Sequence, residues 1–98
     1  MEKDLMRIIN HYGIMEQLKY IHSEYYELDE AIFDYEIGNY DNSNYLKEHI
    51  AEEISDIMVM LKQFQHYYCI SDNQIEDIMK FKIKRQIERI DLESKGDE

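Results

Sequence analysis

Apolar residues recur along this chain at alternating spacings of three and four, the pattern of helices that bury one face. Over 2–12 they fall at Leu5, Ile8 and Ile9, which predicts a short first helix. Gly13 is the expected break, because glycine tolerates the backbone conformations that end helices. Over 14–37 the stripe is Ile14, Leu18, Ile21, Tyr25, Leu28, Ile32 and Tyr35, a heptad-like run suited to a long bundle helix, with its stop at Gly38.

Gly38-Asn39-Tyr40-Asp41-Asn42-Ser43 is dense in turn formers and reads as the main loop, with Asn42 or Ser43 capping the next helix. That third helix, over about 44–69, places Leu46, Ile50, Ile54, Ile57, Leu61, Phe64 and Tyr68 inward. Within it, Ile57-Met58-Val59-Met60-Leu61 is apolar on every helical face, which predicts a buried stretch. Ser71-Asp72-Asn73-Gln74 fits a capping box. It opens a fourth helix over 72–92, carried by Ile75, Met79, Ile83, Ile87 and Ile90, with a frayed polar tail over 93–98. No strand-like alternation, repeat or linker intervenes. The expected architecture is one all-α domain over 1–98, a bundle of about four helices.

Charge then narrows the function classes. Twenty-two acidic residues against eleven basic ones give a formal net charge of −11, which disfavours a nucleic-acid polymer or an anionic membrane as partner. The regular spacing of the 44% hydrophobic residues argues against disorder. No stretch approaches the ~20 apolar residues of a membrane span and no apolar leader opens the chain, so the expected location is cytoplasmic. Cys69 is alone, which excludes an intramolecular disulfide and a cysteine zinc cluster; its expected state is a buried free thiol. A fold of this size has a stability of about 5–10 kcal/mol, which oligomerisation would increase.

Two acidic motifs are the candidate chemistry. Glu24-Tyr25-Tyr26-Glu27 and Glu53-Ile54-Ser55-Asp56 each place two carboxylates three residues apart, on one side of a helix. Glu24 and Glu27 share an edge stripe with Gln17, Tyr20 and Ala31; Glu53 and Asp56 share one with His49 and Met60. Two readings stay open: solvated acidic faces, or four carboxylates meeting beside a core, where repulsion and desolvation call for a cation. Hard oxygen ligands suit magnesium or manganese.

The fourth helix supplies Lys82 and Arg85, with Arg89 a further turn along, in a local concentration of cations suited to phosphate or simply to a helix C-terminus. Residues three before His11, His22, His49 and His66 are Ile8, Lys19, Leu46 and Gln63, so the Glu-x-x-His pairs of di-iron bundles are absent. No Gly-rich phosphate loop or serine or cysteine nucleophile with its base is evident. The nine tyrosines read as core-boundary aromatics, and one or two near the acidic pairs are candidates to stack on a nucleobase.

Gln17-Leu18, then Ser23-Glu24-Tyr25-Tyr26-Glu27-Leu28, then Glu52-Glu53-Ile54-Ser55-Asp56-Ile57, then Lys82-Ile83-Lys84-Arg85 resembles the MazG-like all-α nucleotide pyrophosphohydrolases. The resemblance spans about Gln17 to Arg89. It departs where Ser23 stands in place of a frequent glutamate, and where no asparagine shortly precedes Lys82. It implies magnesium-dependent cleavage of nucleoside triphosphates between the α and β phosphates, by a homodimer or homotetramer. It makes Glu24, Glu27, Glu53 and Asp56 metal ligands, Lys82 and Arg85 triphosphate ligands, and Gln17 a further substrate-binding residue. A non-catalytic nucleotide-binding or interaction module of the same fold is the alternative, and a purely structural helical oligomer a third.

Overall fold

The computed structural model describes residues 1–38 and 43–96. Among these every regular element is helical: α1 (Glu2–Tyr12), α2 (Ile14–Ile37), α3 (Ser43–Tyr67) and α4 (Asp72–Gly96). The all-α expectation holds. Of the predicted loop Gly38 to Ser43, positions 39–42 lie outside the described residues, as do the two cap candidates, Asn42 and the side chain of Ser43.

Gly13 separates α1 from α2 at φ 90°, a backbone conformation that L side chains rarely adopt, and its N–H still donates to Ile9 O at 2.8 Å. The break is therefore tight. Ser71 caps α4 as its sequence predicts, with Gln74 N donating to Ser71 Oγ at 3.1 Å. α4 continues past Leu92 to Gly96, four residues beyond the expected end.

The chain divides into two compact units, 1–68 and 69–98. In the first, α1, α2 and α3 pack on one another as a three-helix bundle. Leu5 and Ile9 seat α1; Ile9 is 1% exposed, and full burial of such a side chain stabilises by about 1.5–3 kcal/mol. The second unit is α4 with its lead-in. Among its described residues no side chain is buried.

The helices are where the periodicity puts them, but their buried faces are not. Leu18, Tyr25 and Ile32 of the expected α2 stripe are exposed, as are Ile54, Leu61 and Tyr68 of the third-helix stripe, and Met79, Ile83, Ile87 and Ile90 of α4. The run Ile57 to Leu61 is not buried all round, since Met58, Val59 and Leu61 stand in the open. The buried positions of α2 are Gln17, Glu24 and Ala31, seven residues apart, which is the edge stripe turned inward. Three side-by-side helices cover only a narrow arc of each, and close polar contacts between α2 and α3 set which arc. Cys69 is exposed, not buried: α3 ends at Tyr67, and Cys69 sits in the turn beyond it at φ 56°.

Candidate metal centre

α2 and α3 run antiparallel in a register that sets Gln17 against Gln63, Glu24 against Asp56 and Glu27 against Glu53. Helical spacing of three and four then stacks the partners on each side of this ladder: Gln17, Tyr20, Glu24 and Glu27 on α2, and Glu53, Asp56, Met60 and Gln63 on α3.

Glu24, Glu27, Glu53 and Asp56 each offer one carboxylate oxygen, and these four oxygens lie within 4.8 Å of one another. Oxygens held at 2.0–2.1 Å from a magnesium ion are at most about 4.2 Å apart, so small side-chain movements would close the set. Glu24 and Glu53 are buried, 5% and 6% exposed, whereas Glu27 and Asp56 face solvent. The Oε2 atoms of Glu24 and Glu53 are buried without a hydrogen-bond partner. A solvated acidic face has no such atoms.

Burying two uncompensated carboxylates costs several kcal/mol per ion. A proton is one compensation. Burial raises the Glu53 pKa above its ordinary value, and Glu27, which can accept a hydrogen bond from the protonated carboxyl, raises it further. Burial likewise raises Glu24, the hydroxyl of Tyr20 opposes that shift by donating to the carboxylate, and Glu27 and Asp56 reinforce it. Tyr20 is itself raised, chiefly by that hydrogen bond to Glu24. A divalent cation is the other compensation. The donors are all hard oxygens, with no histidine or cysteine in the cluster, and they fit magnesium or manganese.

The structure thus brings together all four carboxylates that the sequence singles out. It seats Gln17 on the same face of α2, seven residues before Glu24 and 7% exposed, with Nε2 donating to Gln63 Oε1 at 2.8 Å. Lys82 and Arg85 belong to the other unit, where they line a small groove of about 150 Å³ on α4 with Gln86 and Arg89. The Arg85 guanidinium lies 5.9 Å from the Phe81 ring centroid, within cation–π range. Ser55, inside the second motif, donates to Ala51 O at 2.8 Å and has no part in the cluster.

Two contributors go unread in the sequence. Gln63 is 1% exposed and completes the ladder seven residues beyond Asp56. That periodicity is visible, but glutamine on a long helix is ordinarily a surface residue. Tyr20 lies on the Glu24 stripe and is one of many tyrosines, so its hydroxyl contact has no sequence signal of its own.

Comparisons with models of protein families, with characterised proteins and with solved structures gave no match.

Proposed function

We propose that the chain is a magnesium-dependent nucleoside triphosphate pyrophosphohydrolase, acting in the cytoplasm, that cleaves an NTP or dNTP between the α and β phosphates. The products are the monophosphate and pyrophosphate. One observation carries this reading: four carboxylates converge on a point, and two of their buried oxygens have no hydrogen-bond partner.

Glu24, Glu27, Glu53 and Asp56 would hold the ion, with manganese as a substitute. When bound, it would neutralise the carboxylates, gather phosphate oxygens and acidify a water. The remaining work falls to the chain. The hydroxyl of Tyr20, close to Glu24, would orient its carboxylate, and Glu27, open to solvent, would take the proton of the attacking water as general base. Lys82 and Arg85, exposed on α4, would bind phosphate oxygens, arginine in the two-pronged manner that lysine lacks. Chemistry of this kind rests on positioning and charge stabilisation, which carboxylates and cations supply without a covalent intermediate.

A homodimer or homotetramer belongs to the same proposal. Leu18, Tyr25 and Ile32 on α2 and Ile83, Ile87 and Ile90 on α4 are exposed apolar residues at helical spacing, and a symmetric assembly would remove such surface from water.

The experiment is a pyrophosphate-release assay across ribo- and deoxyribonucleoside triphosphates with magnesium. Equal amounts of monophosphate and pyrophosphate are expected. Tight nucleotide binding with no release from any of them would leave a non-catalytic nucleotide-binding module.

A further inference from the structure

A groove of about 560 Å³ lies along α1 beside the end of α3, lined by Glu2, Lys3, Met6, Arg7 and Asn10 of α1 and His66 of α3. We propose that this groove is an anion site: a phosphate group, free or at the end of a small monoester, binds to Lys3, Arg7, Asn10 and His66. The site is separate from the carboxylate centre and does not depend on the triphosphate reading.

Charge sets the groove apart from its surroundings. Residues 1–68 hold fourteen acidic side chains but five basic ones, Lys3, Arg7, Lys19, Lys47 and Lys62. Two of those five stand one turn apart on α1 and line this groove together. Asn10 follows on the next turn, and half-buried His66 joins them from α3.

The two cations are also unpaired. Asp4 lies three residues before Arg7, a spacing that allows a helical ion pair. Yet among the described residues neither Lys3 nor Arg7 has a carboxylate within ion-pair distance; the pairs form elsewhere, as in Lys19 with Glu16 and Lys80 with Glu76. Glu2 is the one acidic side chain of the lining, so the groove keeps a positive balance in a chain of net charge −11. The N-terminus of α1 adds to that balance, because Met1 supplies no side-chain cap to its open N–H groups, although Glu2 and Asp4 offset part of the dipole.

The donors select the anion. Lysine brings three N–H groups on a point charge, arginine a planar fork, and asparagine and histidine further N–H groups. A carboxylate has two oxygens and one charge to share among them. A phosphate monoester has three acceptor oxygens and a charge of about −1.5 to −2 at pH 7. The groove also falls within the range of about 300 to 1,000 Å³ for small-ligand sites, and Met6 gives an apolar wall for whatever the phosphate carries.

Position keeps the two sites distinct. His66 stands ten residues beyond Asp56 on α3, about 15 Å at 1.5 Å per residue. A metal held by the four carboxylates is out of reach of a phosphate bound here.

The test is NMR titration of the full chain in EDTA at constant pH, read at the His66 ring and assigned by its loss in His66→Gln. The probes are inorganic phosphate and phenyl phosphate, with sodium chloride at matched ionic strength as control. Both phosphates should shift the His66 resonances saturably, and chloride should not. Arg7→Gln should weaken binding at least about tenfold, the value of charge-assisted hydrogen bonds to a guanidinium. Lys3→Gln should weaken it less, and Lys19→Gln, which removes the same charge from α2, should leave it unchanged. Lys3 and Arg7 are exposed, so neither variant endangers the fold. Tighter binding of phenyl phosphate would make a monoester the ligand, and equal binding would make it free phosphate. No saturable shift with either probe, or equal shifts in wild type and Arg7→Gln, would overturn the site.

Discussion

The α2–α3 layer and α4 are similar in length and in apolar periodicity, yet they resolve their stripes in opposite ways. Between α2 and α3 the buried groups include Gln17, Glu24, Glu53 and Gln63, while Leu18, Ile32 and Leu61 stay in water. On α4 nothing is buried, and Met79, Ile83 and Ile87 are exposed alongside Lys82 and Arg85. Among the described residues four apolar side chains are buried against five polar ones. Such an interior is poor ground for stability and good ground for a site, because each buried polar group there demands a partner. The acidic ladder keeps two such demands open.

The sharpest way to break this contrast is to remove apolar volume from each side of it. Ile9→Ala, in the dry part of the first unit, should cost about 2–5 kcal/mol in denaturant unfolding, a large share of the stability such a chain has. Ile87→Ala on α4 should cost under about 0.5 kcal/mol if that face is open in solution. A large loss at Ile87 would show that an assembly covers it, and size-exclusion chromatography with light scattering would then report the homo-oligomer.

Glu53→Gln comes next. Pyrophosphate release should fall by about 100-fold or more, since even partners of a metal's ligands are worth that much. The metal-free protein should melt no lower than wild type, because the change removes a buried charge among like charges. Collapse of the fold would assign Glu53 a structural hydrogen bond instead.

On α4 the expected effects are smaller. Lys82→Ala and Arg85→Ala should each weaken triphosphate binding about tenfold, the value of a charge-assisted hydrogen bond. Melting should be unchanged, both side chains being exposed. Equal kinetics in wild type and both variants would confine the site to α2 and α3.

These contrasts also show what is legible in the sequence. Helix positions are, because the three-and-four spacing, Gly13 and the Ser71 cap act locally. The carboxylate cluster is, because Glu24, Glu27, Glu53 and Asp56 need only two facing helices to meet. Which arc of a helix is buried is not local. α2 carries apolar residues at Leu18, Tyr25 and Ile32 and polar ones at Gln17 and Glu24, and the face that meets α3, where Gln17 bonds Gln63, is the polar one. Cys69 is misread for a related reason: burial of one thiol depends on where α3 ends, and it ends two residues earlier.

The smallest effect is in pH. Glu24 and Glu53 have folded-state pKa values raised above the ordinary 4.5. The folded chain therefore binds more protons than the unfolded one, and these groups' contribution to stability is present near pH 4.5 and lost as pH rises through the raised values. Melting of the metal-free protein should drop as pH rises above 4.5, and the drop should shrink in Glu53→Gln. A flat profile would mean that the carboxylates are solvated.

The most direct measurement is the melting temperature at pH 7.5 with and without millimolar Mg²⁺, for wild type and Glu53→Gln. A cation that binds only the folded chain raises its stability by mass action. The wild-type midpoint should rise with Mg²⁺ while that of Glu53→Gln stays in place. No wild-type rise, or an equal rise in both proteins, would contradict a metal centre built on these four carboxylates.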